Sequence, residues 1–272
     1  PRWSRVEETF GEDPYLISEM GLGVIEGFQG EGIENPESVI STLKHFAAYG
    51  VSEGGHNGGA VHIGQRELMQ DYMYPFKKAI DAGVDGLILV CNGAGGHTGD
   101  LSPFAFVSEV KKIFDGIIIV GGSISSGESI LAIQALGADL AYMGTRFIAT
   151  KESDASDEFK EMIVNASAKE IIKSNKITGV NGNWLEQSLN NSGIATNEGG
   201  VKSALSDLKR MAMPIIKQKL KVDFDISKIT AKRWRDIFSA GQGVGSISNI
   251  PRVKDLVLEL EQQHMKSKNS IL

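Results

Sequence analysis

A single cysteine in 272 residues rules out an internal disulfide. A lone Cys91 fits a reducing compartment, and its place at the end of an apolar run reads as a small buried residue rather than a reactive thiol. Positive charge is also short: 28 Lys and Arg against 34 Asp and Glu give a net charge of -6. Without a basic face to neutralise phosphates, a nucleic-acid partner is disfavoured. No apolar run approaches the ~20 residues of a membrane span, and no signal-peptide pattern opens the sequence, so the expectation is a soluble, cytoplasmic protein with no membrane partner. The first residue is Pro1 rather than methionine, which reads as a truncated or processed piece of something longer. Prolines number only seven against 32 glycines. The glycines cluster where apolar runs end, as in α/β proteins whose strand-to-helix loops approach ligands closely.

Taken in order, Asp13-Pro14 predicts a helix start, with Asp13 as N-cap and Leu16, Ile17, Met20, Val24 and Ile25 at helical spacing up to Gly30. Ser38–Tyr49 reads as a strand ending in Lys44 and His45, which would put two hydrogen-bond donors at the rim of a sheet. Gln65–Ala82 reads as a helix with Leu68, Tyr72, Phe76 and Ile80 on one face. From there strand, glycine turn and helix alternate. Strands are predicted near 86–91, 116–120 and 140–143, with helices over 103–114 and 128–136. Such βα units imply a parallel sheet. Further helices are predicted over 157–173, 201–219, from 231 to 238, and over 253–264 with a fraying tail, while 174–197 reads as loop.

The loops supply the chemistry. Gly121-Gly122-Ser123-Ile124-Ser125-Ser126-Gly127 and Gly144-Thr145 each follow a strand. Consecutive glycines leave backbone amides free, the helix from Glu128 aims its positive end at the same point, and Ser123, Ser125 and Thr145 offer hydroxyls. Together these predict a phosphate site in the position a β/α barrel uses. His97 follows Gly95-Gly96 in the loop after the 86–91 strand. An imidazole there is suited to accept a proton from a weak carbon acid, although a loop histidine bonded to a carbonyl is the plainer reading.

Ala94-Gly95-Gly96-His97-Thr98-Gly99, Ala138–Met143 with Gly144-Thr145-Arg146-Phe147-Ile148-Ala149-Thr150, and Ser239-Ala240-Gly241-Gln242-Gly243-Val244-Gly245 resemble the nitronate monooxygenase family, from about residue 78 to the C-terminus. The resemblance implies an FMN-binding β/α barrel that oxidises alkyl nitronates with O2. It makes His97 the general base and places the FMN phosphate at Gly121, Gly122, Ser123, Met143, Gly144 and Thr145. Gly95 and Gly96, with Gln242 and Gly243 of the 239–245 loop, complete the implied cofactor site.

The first 80 residues resemble another family. Pro1–Pro14, Thr42–Gly50 and Val61–Leu68 are similar to the barrel domain of family 3 glycoside hydrolases, the β-glucosidase group. That likeness makes Lys44 and His45 ligands of sugar hydroxyls. The chain thus reads as a splice of two barrel families: 1–80 from the hydrolases, 81–150 as FMN-binding βα units, and 151–272 as a C-terminal helical and loop region. The hydrolase part lacks the two carboxyl groups, about 5–5.5 Å apart, that retaining hydrolysis needs. The expected fold is α/β, a partial or rearranged (β/α)8 TIM-type barrel with parallel strands and a C-terminal helical segment. Its open edges predict a homodimer. No metal is expected. A glycosidase fragment and a catalytically silent fusion are the alternatives to the oxygenase.

Overall fold

The computed structural model describes residues 3, 5–32, 34–55, 61–82, 86–194 and 235–271. They fall into two compact units, Pro1–Leu87 with Asn175–Asn181, and Ile88–Ser174 with Gly182–Leu272.

In the first unit, α1 (Pro14–Gln29) starts where the sequence predicts. The Leu16 amide donates to Asp13 Oδ1 at 2.8 Å, and Pro14 occupies the first turn, where a missing N–H costs nothing. Asp13→Ala is expected to lower stability by about 1 kcal/mol, read from the urea midpoint. Past the helix, Val39 N donates to Phe28 O and Ser38 Oγ to Gln29 O. These bonds tie the 38–47 segment to the end of α1, and the predicted strand there is not formed. A β-prone run needs a partner ladder, and none is present among the described residues.

The helix predicted over 65–82 is a run of α2 (Gln65–Glu67), a π-turn over Leu68–Tyr72, and α3 (Tyr74–Asp81). Its buried residue in α3 is Ala79, while Ile80 is exposed. Steps of four drift by about 40° each on a 3.6-residue helix, so Ile80 leaves the stripe that Leu68 begins.

The second unit carries the βα rhythm: β1 (Gly86–Val90), α4 (Pro103–Val110), β3 (Ile117–Gly121), α5 (Gly127–Ala135) and β4 (Leu140–Tyr142). The sheet order is β1-β3-β4, and β3 and β4 run parallel with Val120 opposite Ala141. Asp139 closes the ladder's entrance, its Oδ2 accepting from Ile118 N at 2.8 Å. One face, with Leu89, Cys91, Ile118 and Val120, packs on Val107, Val110 and Ile133 of the helices. On the other, Val90, Ile117, Leu140 and Tyr142 are exposed. Parallel sheets are normally covered on both faces.

A second three-stranded sheet, which the sequence does not announce, joins β2 (Gly96–His97), β6 (Gly182–Leu185) and β5 (Ile171–Ser174), all antiparallel. The helix predicted to run to Lys173 stops as α7 (Asp157–Asn165), because Ala166 turns extended and Ser167 and Glu170 cap a new short turn. The β-branched pair Ile171-Ile172 then enters the sheet. The predicted 174–197 loop contains β6 and α8 (Glu186–Asn191). The described strands therefore form two small sheets of mixed kind, α/β with parallel pairing, and not the eight strands of a closed barrel.

A second core joins Met162, Ile163, Ile171, Leu185, Phe238 and Val244. The helix predicted over 201–219 lies outside the described residues, as does the start of the 231–238 helix. Residues 235–238 form a turn and bridge, with Leu185 N donating to Phe238 O. The last helix, α9 (Val253–Ile271), extends past the expected stop at His264 because nothing from 265 to 271 is Gly or Pro. Between α4 and α9, short α6 (Thr145–Ile148) follows β4. No described helix is long and apolar enough to cross a membrane, and no metal-holding cluster occurs among the described residues.

Candidate functional site

Four loops of the second unit converge beyond the C-terminal ends of β1, β3 and β4. Their hub is the Gly93 carbonyl, which accepts from Gln242 N at 2.9 Å and Ser123 N at 3.3 Å. Gly93 has φ 86°, and a Cβ there would collide with Ser123 Oγ, so only glycine fits. Gly95 packs as closely: a Cβ would lie 2.8 Å from Gly241 N and 2.9 Å from Thr145 Oγ1. Gly241 N in turn donates to Thr145 Oγ1 at 2.9 Å. Ser125 Oγ, 2.7 Å from Ser246 Oγ, donates to Gly243 O at 2.8 Å. Gly121 pairs with Tyr142 in the parallel ladder, so the turns that begin at Gly122 and Met143 leave the sheet at the same end. Ser123 itself has φ 57°, a left-handed conformation costing about 1–2 kcal/mol in a non-glycine residue.

Contacts between loops join Gly95, Gly122, Ser123, Thr145, Gln242 and Gly243, while Gly121 ends the parallel ladder and Gly96, Met143 and Gly144 lie along the same chain segments without a contact that ties them in. They do different jobs. Gly95, Gly122 and Gly243 are spent on close contacts between loops, whereas a Cβ at Gly96 or Gly144 would meet nothing within 4 Å. Gly144 is also the N-cap of α6 and has no side-chain cap.

The N-terminus of α5 is not open as predicted. Ser125 N and Ser126 N donate to Ser129 Oγ, Ser129 N to Ser126 Oγ, and Gly127 N to Gln263 Oε1 of α9 at 2.8 Å. Gln263 was not foreseen, since only the packing of α9 on α5 brings it there. Glu128's own backbone amide first, and then the Ser126 hydroxyl, hold its carboxyl below the usual range.

His97 lies in β2 rather than in open loop. It stands opposite Gly182, and the preceding Gly96 stands opposite Asn183. Thr98 Oγ1 donates back to Cys91 O at 3.2 Å. Lys173 of β5 forms an ion pair with Asp100. Asn183, whose Nδ2 donates to Ala94 O at 2.8 Å, is a second contact of the loop cluster missed in the sequence. No local pattern marks it, because its pairing with Gly96 and not its neighbours in sequence sets its place.

Arg146 is buried and bonds Asn249 Oδ1 at 2.7 Å and Ala149 O at 3.2 Å, tying α6 to the 249 segment. Burial lowers its guanidinium pKa. Cys91 is fully buried, and burial raises its thiol pKa. A thiol titrating above its usual range carries little thiolate near neutrality, so Cys91 should resist maleimide in the folded protein and react only on unfolding, as mass spectrometry would read.

Lys44 and His45 belong to the first unit, where they sit in coil rather than on a strand. His45 stacks on Tyr49 at 4.3 Å, Trp3 meets the same ring edge-on at 5.5 Å, and Arg5 lies 5.3 Å over it. Lys44 Nζ is 3.7 Å from Glu8, which also pairs with Arg5. The Arg5 bonds hold the Glu8 carboxyl below its usual range.

The nitronate monooxygenase model matches residues 73–263, the stretch that holds all four loops. The chain belongs to the nitronate monooxygenase family. The family 3 glycosyl hydrolase N-terminal domain model matches residues 1–129 and so overlaps that stretch. The periplasmic beta-glucosidase of Salmonella typhimurium is 42% identical over 96 residues, 35% of this chain and 12% of that protein. The beta-xylosidase of Formosa agariphila is 46% identical over 90 residues, 32% of this chain and 12% of its own length. The chain therefore spans about an eighth of these relatives. Among solved structures, FabK from Thermotoga maritima superposes with a TM-score of 0.51 at 23% identity, covering 72% of this chain and 60% of its own. That likeness is one of fold.

Proposed function

We propose that the chain is an FMN-dependent oxidoreductase acting on small alkyl nitronates with O2, its cofactor held on the four-loop cluster and His97 its general base. The observation that carries this reading is the knitting of Gly93, Gly95, Ser123, Thr145, Gly241 and Gln242 into one support within the family match. The residues present fit such a group. Gly144 leaves an open, side-chain-free cradle at the same end of the sheet as the Gly121–Ser123 turn. With the α5 amides satisfied internally and Ser123 N bonded to Gly93 O, the phosphate falls to the Gly122 and Gly144 backbone and the Ser123 and Thr145 hydroxyls. Bound FMN supplies the electron acceptance and the reaction with O2. In this reading His97, opposite Gly182 in β2, takes the carbon-bound proton of the parent nitroalkane at an imidazole nitrogen, leaving the nitronate that is oxidised. Gln242, anchored by its amide to Gly93 O, turns its loop toward the cofactor.

An absorption spectrum after incubation with FMN and gel filtration tests the proposal. A perturbed flavin band that travels with the protein supports it, and complete separation of FMN contradicts it.

A second reading concerns the first unit. The ring cluster of Trp3, His45 and Tyr49 gathers Arg5, Lys44 and Glu8, charged groups that suit a sugar's hydroxyls. We assign that cluster sugar binding without hydrolysis. Chromogenic β-glucosides should remain intact, and measurable release of the chromophore would restore the glycosidase reading. The exposed apolar face of β1, β3 and β4 supports a homodimer, which a monodisperse monomer in solution scattering would exclude.

A further inference from the structure

Asn183 sits in a strand whose four residues are all buried, and is itself 1% exposed. Its Nδ2 donates to Ala94 O at 2.8 Å. A carbonyl can only accept, so that bond fixes which end of the amide points where. Asn183 Oδ1 is left buried without a donor among the described residues. An unmet buried acceptor costs about 1–3 kcal/mol, and an apolar side chain of the same size would avoid it. The ladder also leaves room beside it. Cross-strand partners share a face, the partner of Asn183 is Gly96, and a Cβ on Gly96 would meet nothing within 4 Å.

We infer that Asn183 is a ligand-contact residue of the loop cluster, its Oδ1 accepting a hydrogen bond from the ring imide N–H of a bound flavin. The inference rests on the flavin reading above. The open backbone at Gly144 suits the phosphate end of the cofactor, which needs donors. Asn183 offers the opposite polarity, a buried acceptor between fully buried neighbours such as Trp184. That setting suits a flat ring whose oxidised form carries one N–H donor. Because the same amide also grips Ala94 O, ligand contact and the loop that leads to His97 are joined through one side chain.

The test is a fluorescence titration of the full chain, wild type and Asn183→Leu, with FMN and with its N3-methyl analogue, alongside the thermal midpoint of each protein without flavin. Wild type is expected to bind the methyl analogue about tenfold more weakly, and Asn183→Leu to bind both alike. Should Asn183→Leu fail to fold, Asn183→Ser is judged by the same ratio. A purely structural role would lower the midpoint and weaken both flavins in proportion, and the retained discrimination would overturn the inference. Equal wild-type affinity for the two flavins would overturn it while leaving the flavin reading in place. Failure of wild type to bind either would remove both.

Discussion

Gly93→Val is expected to abolish FMN binding and to lower stability by about 3–5 kcal/mol, read from fluorescence titration and the urea midpoint. Two costs add. The new side chain enters space held by Ser123 Oγ and comes within 3.0 Å of Gln242 Oε1. It must also adopt φ 86°, which L-residues rarely tolerate. Relief requires moving the Gly93 carbonyl, which releases the amides of Ser123 and Gln242 together. Three loops lose their common anchor in one substitution. A variant that retains wild-type flavin affinity would show that the hub is not needed for the site.

His97→Ala should lower turnover of a nitroalkane substrate by about 10²–10⁴-fold, the usual worth of a positioned general base. FMN affinity should change little, because the backbone pairing of His97 with Gly182 does not depend on the ring. Steady-state kinetics beside flavin titration separate the two. The loss should be smaller when the preformed nitronate is supplied, since its proton has already been removed. Equal losses on both substrates would mean that His97 acts on something other than the carbon-bound proton.

The elements whose signals are local were legible in the sequence. Asp13-Pro14 fixed a helix start, and the three apolar runs ending in glycine gave β1, β3 and β4. So did the convergence of the glycine loops, since a parallel sheet delivers its loops to one end. What failed depended on partners. The 38–47 run has strand composition, but without a neighbouring ladder it is held by the end of α1. The capping of α5 by Gln263 arises from a helix more than a hundred residues away. Strands β5 and β6 are four residues each, too short for a period to show, and exist because they pair with each other and β6 pairs with β2. For the same reason Asn183 stayed hidden, since its place in the site is set by register with Gly96 and not by its neighbours in sequence.

The central claim, that the loop cluster is a flavin cradle open at Gly144, is tested most directly by titrating FMN fluorescence against wild type and Gly144→Val. A Cβ at Gly144 would meet no atom within 4 Å beyond its chain neighbours, so the variant should fold with a thermal midpoint close to that of wild type. Wild type is predicted to bind one FMN per chain and Gly144→Val to bind none. Flavin fluorescence unchanged by wild type, or bound equally by both, would contradict the account.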